Sequence, residues 1–180
     1  MSVSENQPTN LNYLSQLGFR FSIKKLPNVN YFCQKASLPS ISLDAIEFQT
    51  PFGNIPRAGN KLKYSTIPIS FRVDEDFKNY IEIHDWMVGL GHPEDFSQTR
   101  ELSNNATGPI RRIGSAASFV SDGTLNIQTS NRNPSINIFF YDMFPTDLTE
   151  LVFDTTASDI DYIEATVTFS YRRYVIERIS

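Results

Sequence analysis

The alternation of hydrophobic and polar residues predicts several β-strands around one amphipathic helix. The clearest unit spans Ile67–Gly91, where Ile67, Ile69, Phe71 and Val73 alternate with polar residues or proline. A period of two is typical of a strand with one buried face. Hydrophobic residues at helical spacing follow directly, so we expect a strand that leads into a helix packed on the sheet.

The predicted helix begins at Asp74 and ends at Gly89 or Gly91. The Asp74 side chain can cap the first turn, and either glycine can end the helix in the left-handed conformation. The stripe expected to face the sheet consists of Phe77, Tyr80, Ile81, His84, Met87 and Val88. Trp86 lies beside this stripe, where it could bury the edge of the helix or meet a neighbouring protein.

Three extended segments precede this unit. Phe19–Ile23 alternates regularly, and a turn at Leu26–Asn28 leads to a second predicted strand, Asn30–Leu38. After Pro39 the third segment, Ile41–Gln49, is also strand-like. Together with the alternating residues from Ile67 to Val73, these make four short strand-like segments, which predict a β-rich fold.

The connection between the third segment and Ile67 is unusually long. Residues Thr50–Tyr64 contain two prolines and two glycines, and the simplest interpretation is a hairpin whose tip projects from the domain. Phe52 and Ile55 would be exposed there in a monomer, which favours a partner surface over a disordered tip. The alternative is that a strand in this segment escapes the pattern.

The C-terminal half is expected to contain only strands and turns. A turn at Asp122-Gly123 precedes two strands, Thr124–Thr129 and Ser135–Asp142. The segment Phe144–Asp147 is expected to turn the chain into a further strand, Leu148–Asp154.

The last predicted strand is longer than a domain of this size needs. After an acidic loop at Thr155–Asp161, every second residue from Ile163 to Tyr171 is hydrophobic, and the extended run continues to Ile176. At about 3.3 Å per residue this strand would span roughly 45 Å, so we expect its end to reach a neighbouring molecule.

Two segments lack periodicity. Residues 1–12 are expected to form a loose N-terminal arm, and residues 92–118 an irregular excursion rich in Ser, Asn, Gly and Thr. With no second boundary visible, residues 1–180 are interpreted as a single domain, mainly β with one packed α-helix.

Composition narrows the function classes. The net charge of −4 gives no sign of a nucleic-acid-binding protein, and 14 Phe and 8 Tyr suit a β-rich core. The single cysteine, Cys33, is expected to be a small buried hydrophobe in a reducing compartment. We expect neither a signal peptide nor a membrane-spanning helix, and therefore a protein made in soluble form.

The sequence offers little support for catalysis. His84 and His92 have no thiol or carboxylate at metal-ligand spacing, and the motifs of phosphate loops, dinucleotide sites and nucleophile elbows are missing. The acids at Asp74–Asp76 are explained by helix capping and the helix dipole. Asp154, Asp159 and Asp161 lack the spacing of a calcium loop, so no catalytic, cofactor or metal site is expected.

Shape is the remaining indication of function. Exposed strand edges are normally blunted unless a partner pairs with them, and head-to-tail pairing closes into a ring or propagates as a filament. A projecting hairpin and an over-long last strand therefore favour a subunit of an assembly.

Three segments resemble a known family. TPFGNIPRAG starts at Thr50, KLKYSTIPISFRVDEDFKNYIEIHDWM at Lys61, and SINIFFYDMFPTDLTELVFD at Ser135. Together they resemble the tail-tube-like proteins of contractile-tailed bacteriophages, and within these the tail terminator (tail completion) group of T-even-type phages. The similarity runs from about Leu38 to Tyr174.

The resemblance implies a structural virion protein of the tail, assembled in the host cytoplasm, and not an enzyme. It implies a tail-tube-like β-sandwich or barrel with a flanking helix. It further implies a homo-hexameric ring that caps the tail tube and connects it to neck and sheath-terminus proteins, while DNA passes through the lumen without specific binding. Tube subunits and baseplate proteins that initiate the tube share this fold and are the first alternative.

Two further expectations complete the prediction. The expected subunit interface consists of Phe52, Asn54, Ile55, Arg57, Trp86 and Tyr174. A monomeric β-sandwich binding module, or a small hydrolase, is the more remote alternative in a different functional class.

Overall fold

The computed structural model describes residues 13–91, 93, 119–156 and 162–179. The elements are β1 Phe19–Ile23, α1 Pro27–Phe32, β2 Cys33–Ala36, β3 Ile41–Thr50, β4 Gly53–Tyr64, β5 Ile67–Arg72, α2 Lys78–Gly91, β6 Ser121–Gln128, β7 Pro134–Leu148, β8 Glu164–Ser170 and β9 Arg173–Arg178. The predicted loose arm at 1–12 lies outside the described residues, as does all of the predicted excursion at 92–118 except Pro93.

Strand β7 takes part in both halves of the main sheet. Its first part, Ile136–Tyr141, pairs with β9 on one side and with β6 on the other, and β1 lies outside β6. Its last part, Phe144–Leu148, pairs with β8, followed by β5 and β2. All of these pairings are antiparallel. The chain changes from one set of partners to the other around Asp142, which has a positive φ of 56°.

The hydrophobic core lies where the inward faces of these strands meet the two helices. Its largest fully buried side chains include Phe21, Phe71, Phe140, Phe169, Ile23, Ile67, Ile69, Ile83, Ile138 and Met143. The strongly alternating burial of β5 and β8 is the pattern expected when one strand face packs inward. The prediction of a mainly β protein with a packed helix is confirmed, although the described residues contain a second, six-residue helix.

Helix α2 starts later and is rotated relative to the prediction. Residues 74–77 form a separate turn, in which the Asp74 carbonyl accepts a hydrogen bond from the Phe77 amide (2.9 Å), and the helix begins at Lys78. Its buried residues are Asn79, Ile83, Trp86 and Gly89. Ile81 is 47% exposed, so the predicted stripe was wrong in phase. The helix passes through Gly89 and ends at Gly91, neither of which has a left-handed φ.

A buried polar residue explains the rotation. The Asn79 side chain is fully buried; its Nδ2–H donates to the Arg72 carbonyl (2.8 Å), and its Oδ1 accepts from the Asp74 amide (3.2 Å). These hydrogen bonds replace the ones that Asn79 would make with water, so a polar side chain can point into the core. The buried face of the helix therefore contains a polar residue, and the hydrophobic pattern alone does not predict it.

Four predicted segments also differ from the structure. The expected strand Asn30–Leu38 begins as helix α1, with Pro27 at its first position, where the missing N–H costs nothing. Asp122-Gly123 lies inside β6, and Phe144–Asp147 continues β7 instead of turning the chain. The strand predicted at Leu148–Asp154 does not form, because β7 ends at Leu148 and the residues after it are not extended strand.

The predicted 45 Å strand is two strands. The chain bends at Tyr171-Arg172, so that β8 pairs with β5 and β7 while β9 folds back on the other part of β7. In the part of the chain that the structure describes, no helix has both the length and the apolar character needed to cross a membrane.

Candidate assembly surface

The β3–β4 hairpin (Ile41–Tyr64) forms a two-stranded sheet of its own. In the described part of the chain these strands pair only with each other, and almost every residue in them is exposed. The connection predicted as a loop is mostly strand, because β4 starts at Gly53 and only Pro51-Phe52 make the turn. With ten and twelve residues, the strands would span roughly 30–40 Å, and the prediction of a projecting hairpin therefore holds without its long loop.

An irregularity divides the hairpin into a base and an outer half. Pairing skips from Leu43↔Leu62 to Ala45↔Ala58. At this point the backbone of Gly59 approaches the Asp44 carbonyl so closely that an added Cβ would lie 2.2 Å from its oxygen. Only glycine fits such an approach without a shift of the backbone.

The outer half carries exposed apolar side chains on one face. Ile46 and Phe48 pair with Arg57 and Ile55, and the guanidinium of Arg57 lies 5.2 Å from the ring centre of Phe48. Phe52 at the turn is completely exposed. Each of these apolar side chains is more than half exposed. Together they form an apolar surface whose exposure to water is unfavourable.

The base of the hairpin carries apolar side chains on its opposite face. Ile41, Leu43 and Leu62 are 47–55% exposed. Because side chains alternate along a strand, residues 41 and 43 point away from the face that holds Ile46 and Phe48. The hairpin therefore presents apolar groups in two directions, as a structural element lying between two neighbours would.

Aromatic rings fix the hairpin to the rest of the protein. Tyr64 at the end of β4 packs against Tyr171 and Tyr174, with ring centres 5.9 and 5.5 Å apart, and both of these rings contact Phe140. The Tyr174 hydroxyl donates to the Pro39 carbonyl at 3.4 Å. This cluster places the base of the hairpin beside the start of β9.

The residues of the predicted interface are divided between the hairpin and the interior. Phe52, Asn54, Ile55 and Arg57 lie exposed on the hairpin, where Asn54 donates to the Glu47 carboxylate at 2.8 Å. Tyr174 is half-buried in the aromatic cluster. That the hairpin forms a subunit interface stays a prediction.

Trp86 belongs to the core. It is 3% exposed, its indole N–H donates to the Phe119 carbonyl at 2.9 Å, and its ring packs 6.1 Å from Phe169. Of the two roles considered for Trp86, burial is therefore the one observed. Ile46 and Phe48 were not among the predicted interface residues, because they alternate like residues of a half-buried strand although both faces of β3 are exposed.

The chemistry of the described residues does not suggest a catalytic centre. Among them, no three His, Cys, Asp or Glu side chains lie close enough to hold a metal ion. Burial raises the pKa of the Cys33 thiol to about 11, so it stays protonated and unreactive at neutral pH. His84, predicted to face the core, is exposed with its Nδ1 3.3 Å from the Asp85 carboxylate.

A pair of glycine substitutions tests the irregularity in the hairpin. Gly59→Ala should disturb the β3–β4 register, because its Cβ would collide with the Asp44 carbonyl. Faster amide hydrogen exchange in the hairpin, with unchanged exchange in β5 and β8, is the expected result. Gly91→Ala is the matched control, since its Cβ meets nothing within 4 Å. Equal exchange in both variants would contradict the close approach.

Comparison with known proteins decides the family. The family model for the phage tail tube protein matches residues 2–177. The chain belongs to this family. The resemblance seen in the sequence is thereby confirmed, and the phage tail is where this chain is located.

This tail tube family member is similar in sequence to a phage tail protein and in fold to chains of contractile injection particles. The tail tube terminator protein of Enterobacteria phage T4 is 26% identical over 149 residues, which cover 81% of this chain and 76% of the relative. The cap that terminates the anti-feeding prophage tube superposes with a TM-score of 0.60 at 16% identity, covering 99% and 100% of the two chains. A chain of the PVC sheath–tube complex also gives 0.60, at 17% identity and 99% coverage of both. These two structures show the shared fold.

Proposed function

We propose that this protein forms the ring that ends the phage tail tube. The observation that carries the proposal is the β3–β4 hairpin, a separate sheet with exposed apolar side chains on opposite faces of its two halves. A monomer gains nothing from such an element, whereas a neighbour on each side would bury it. Family membership and the similarity to a T4 protein named a tail tube terminator support the same function.

Strand edges support a closed ring. In the described residues, β1 and β9 each pair on one side only, at opposite ends of the order β1-β6-β7-β9. This order contains an even number of antiparallel strands, so β9 of one copy could meet β1 of the next in the antiparallel sense. Contacts of this head-to-tail kind close into a ring when the rotation permits. We propose six copies in the ring, the number that the resemblance to tail-tube-like proteins implies.

The partners follow from the position at a tube end. We assign the hairpin end of the ring to the tail tube protein and the opposite end to neck or sheath-terminus proteins. DNA would pass through the lumen without specific binding, because each phosphate neutralised by Lys or Arg would add affinity that hinders sliding. The net charge of −4 is compatible with this passage, and the role is structural and non-enzymatic.

A tube subunit or a baseplate tube initiator is the second candidate, and the similarity to the PVC sheath–tube chain favours it. A tube subunit needs two complementary axial faces so that rings stack without limit, whereas a terminal ring needs only one that matches the tube.

The state of the purified protein separates these candidates. We expect monomers or single closed rings in negative-stain electron microscopy at rising concentration, and binding only to the ends of preformed tubes. Long regular tubes of the purified protein would establish the tube-subunit function instead. A species that stays monomeric at high concentration in sedimentation, and does not bind tube ends, would favour the monomeric binding module.

A further inference from the structure

A second exposed apolar surface lies beside the start of helix α2. Val152, Phe153 and Tyr162 are 72%, 69% and 70% exposed, and Phe77 is half-buried. We call these four residues the Phe153 surface. Because Val152 and Phe153 are adjacent in the chain and Phe153 contacts Phe77, these exposed apolar side chains are not scattered singly, and the surface is a candidate binding site for another protein.

The Phe153 surface is held in place by local contacts. The Phe153 ring stacks on Phe77 with ring centres 6.4 Å apart and an interplanar angle of 21°. Phe77 itself has a φ of 62°, a conformation that bulky residues rarely adopt. The Arg72 guanidinium lies 5.1 Å from the centre of the Tyr162 ring. These two contacts hold the Phe153 and Tyr162 rings against the rest of the protein.

This surface and the hairpin lie at opposite ends of the same strands. Strand β5 begins three residues after the hairpin, at Ile67, and ends at Arg72 beside Tyr162. Its antiparallel neighbour β8 begins two residues after Tyr162 and pairs Phe169 with Ile67. Six residues of strand span about 20 Å. The molecule therefore has two apolar surfaces separated along one direction.

Acidic residues lie next to the Phe153 surface in the sequence. Close to it in the chain are the acidic residues Asp74, Glu75, Asp76, Glu150, Asp154 and Glu164. Lys78 forms an ion pair with Asp76, and Lys35 pairs with Glu164 at 3.4 Å. The four remaining acids outnumber the Arg72 guanidinium on Tyr162, so the rim stays negative. Hydrogen bonds from Thr156 lower the pKa of Asp154, which keeps that carboxyl ionised.

We propose that the Phe153 surface binds a protein other than this chain, one whose contact surface is apolar at its centre and basic at its rim. An acidic rim steers a basic partner during association, while the aromatic centre supplies the buried contact. In the terminal ring proposed above, on which this assignment rests, the Phe153 surface is the end turned away from the tube.

The hairpin of a second copy fits this surface less well. The hairpin has three basic residues, Arg57, Lys61 and Lys63, and two acidic ones, Asp44 and Glu47. Lys63 already forms an ion pair with Asp44 at 2.8 Å. Its three basic and two acidic side chains leave an excess of one positive charge, which is small beside the acidic rim, so a protein with a more basic contact surface is favoured.

Photocrosslinking in assembled particles tests the proposal. Benzoylphenylalanine placed at Phe153 should crosslink to a protein that is neither this chain nor the tube subunit, through a peptide containing Lys or Arg. The same probe at Phe52 should crosslink to the tube subunit or to another copy of this chain. Adding Glu75→Lys and Glu150→Lys should lower the crosslink yield at position 153 by about tenfold. Asp85→Lys, on an exposed position of α2, is the matched charge control and should leave the yield unchanged.

Each contrary outcome has a defined meaning. A crosslink from position 153 to a second copy or to the tube subunit, or no crosslink at all, would overturn the proposal. Unchanged yield after the two charge reversals would overturn the basic character of the partner. If position 52 contacts neither the tube subunit nor another copy, the terminal-ring function fails instead, whatever position 153 shows.

Discussion

Replacing Phe48, Phe52 and Ile55 together by serine should abolish assembly and leave the folded monomer intact. These side chains are 55%, 101% and 52% exposed, so the monomer loses little buried contact and its free energy of unfolding should change by less than about 1 kcal/mol. In an assembly, burying each large apolar side chain contributes about 1.5–3 kcal/mol, so association should weaken at least a hundredfold.

Sedimentation velocity and thermal unfolding, measured on the same preparations, test this prediction. Leu17→Ser is the matched control, because Leu17 is 93% exposed and lies outside the hairpin. Assembly by the triple variant at wild-type concentrations would show that the hairpin is not an interface. A large loss of thermal stability would show that these side chains support the monomer.

Ile83→Ala should destabilise the protein strongly, whereas Ile81→Ala should have little effect. Ile83 is fully buried in the core, so its truncation removes apolar contact and leaves a cavity, at a cost of about 2–5 kcal/mol. Ile81, two residues earlier on α2, is 47% exposed. The same substitution there should change the free energy of unfolding by less than about 1 kcal/mol.

Denaturant titration of both variants measures the difference directly. The pair shares a residue type, a helix and a substitution, so helix propensity cancels and burial alone remains. Equal destabilisation by the two substitutions would mean that the face of α2 that packs on the sheet has been assigned incorrectly. A larger loss of stability at Ile81 than at Ile83 would restore the helix phase expected from the sequence.

The sequence predicted elements best where one face is buried. Strands β5 and β8 alternate clearly because every second side chain enters the core. The position of α2 was also predictable, but its phase was not. Two apolar stripes compete on this helix, and the correct one contains Asn79, whose buried hydrogen bonds to residues 72 and 74 depend on the folded chain.

Proline misled the prediction at two strands. Pro56 and the nearby glycines suggested a loop, yet β4 is a strand with both faces in solvent, so no hydrophobic alternation marks it. Pro145 suggested a turn, but it lies where β7 pairs with β8, and among the described residues that stretch has no second neighbour. On an unpaired edge the missing N–H of proline costs no ladder hydrogen bond.

The sequence predicted where the candidate surface lies, but not all of the residues that form it. Phe52 and Ile55 marked the hairpin because they are apolar residues among turn formers. Ile46 and Phe48 could not be recognised, since a strand in a projecting hairpin and a strand in a core share the same alternation. Tyr174 contacts the hairpin base only after the chain has bent between β8 and β9.

The shared strand β7 has a mechanical consequence. A sandwich whose two sheets touch only through side chains can yield by sliding of one sheet over the other. Here the backbone of β7 runs from one set of partners into the other, with hydrogen-bonded ladders to β6, β8 and β9. Such sliding would therefore have to strain a covalent chain and break ladders on both sides at once. A subunit built in this way transmits axial force as one body, and the force falls on its contacts with neighbours before it reaches its interior.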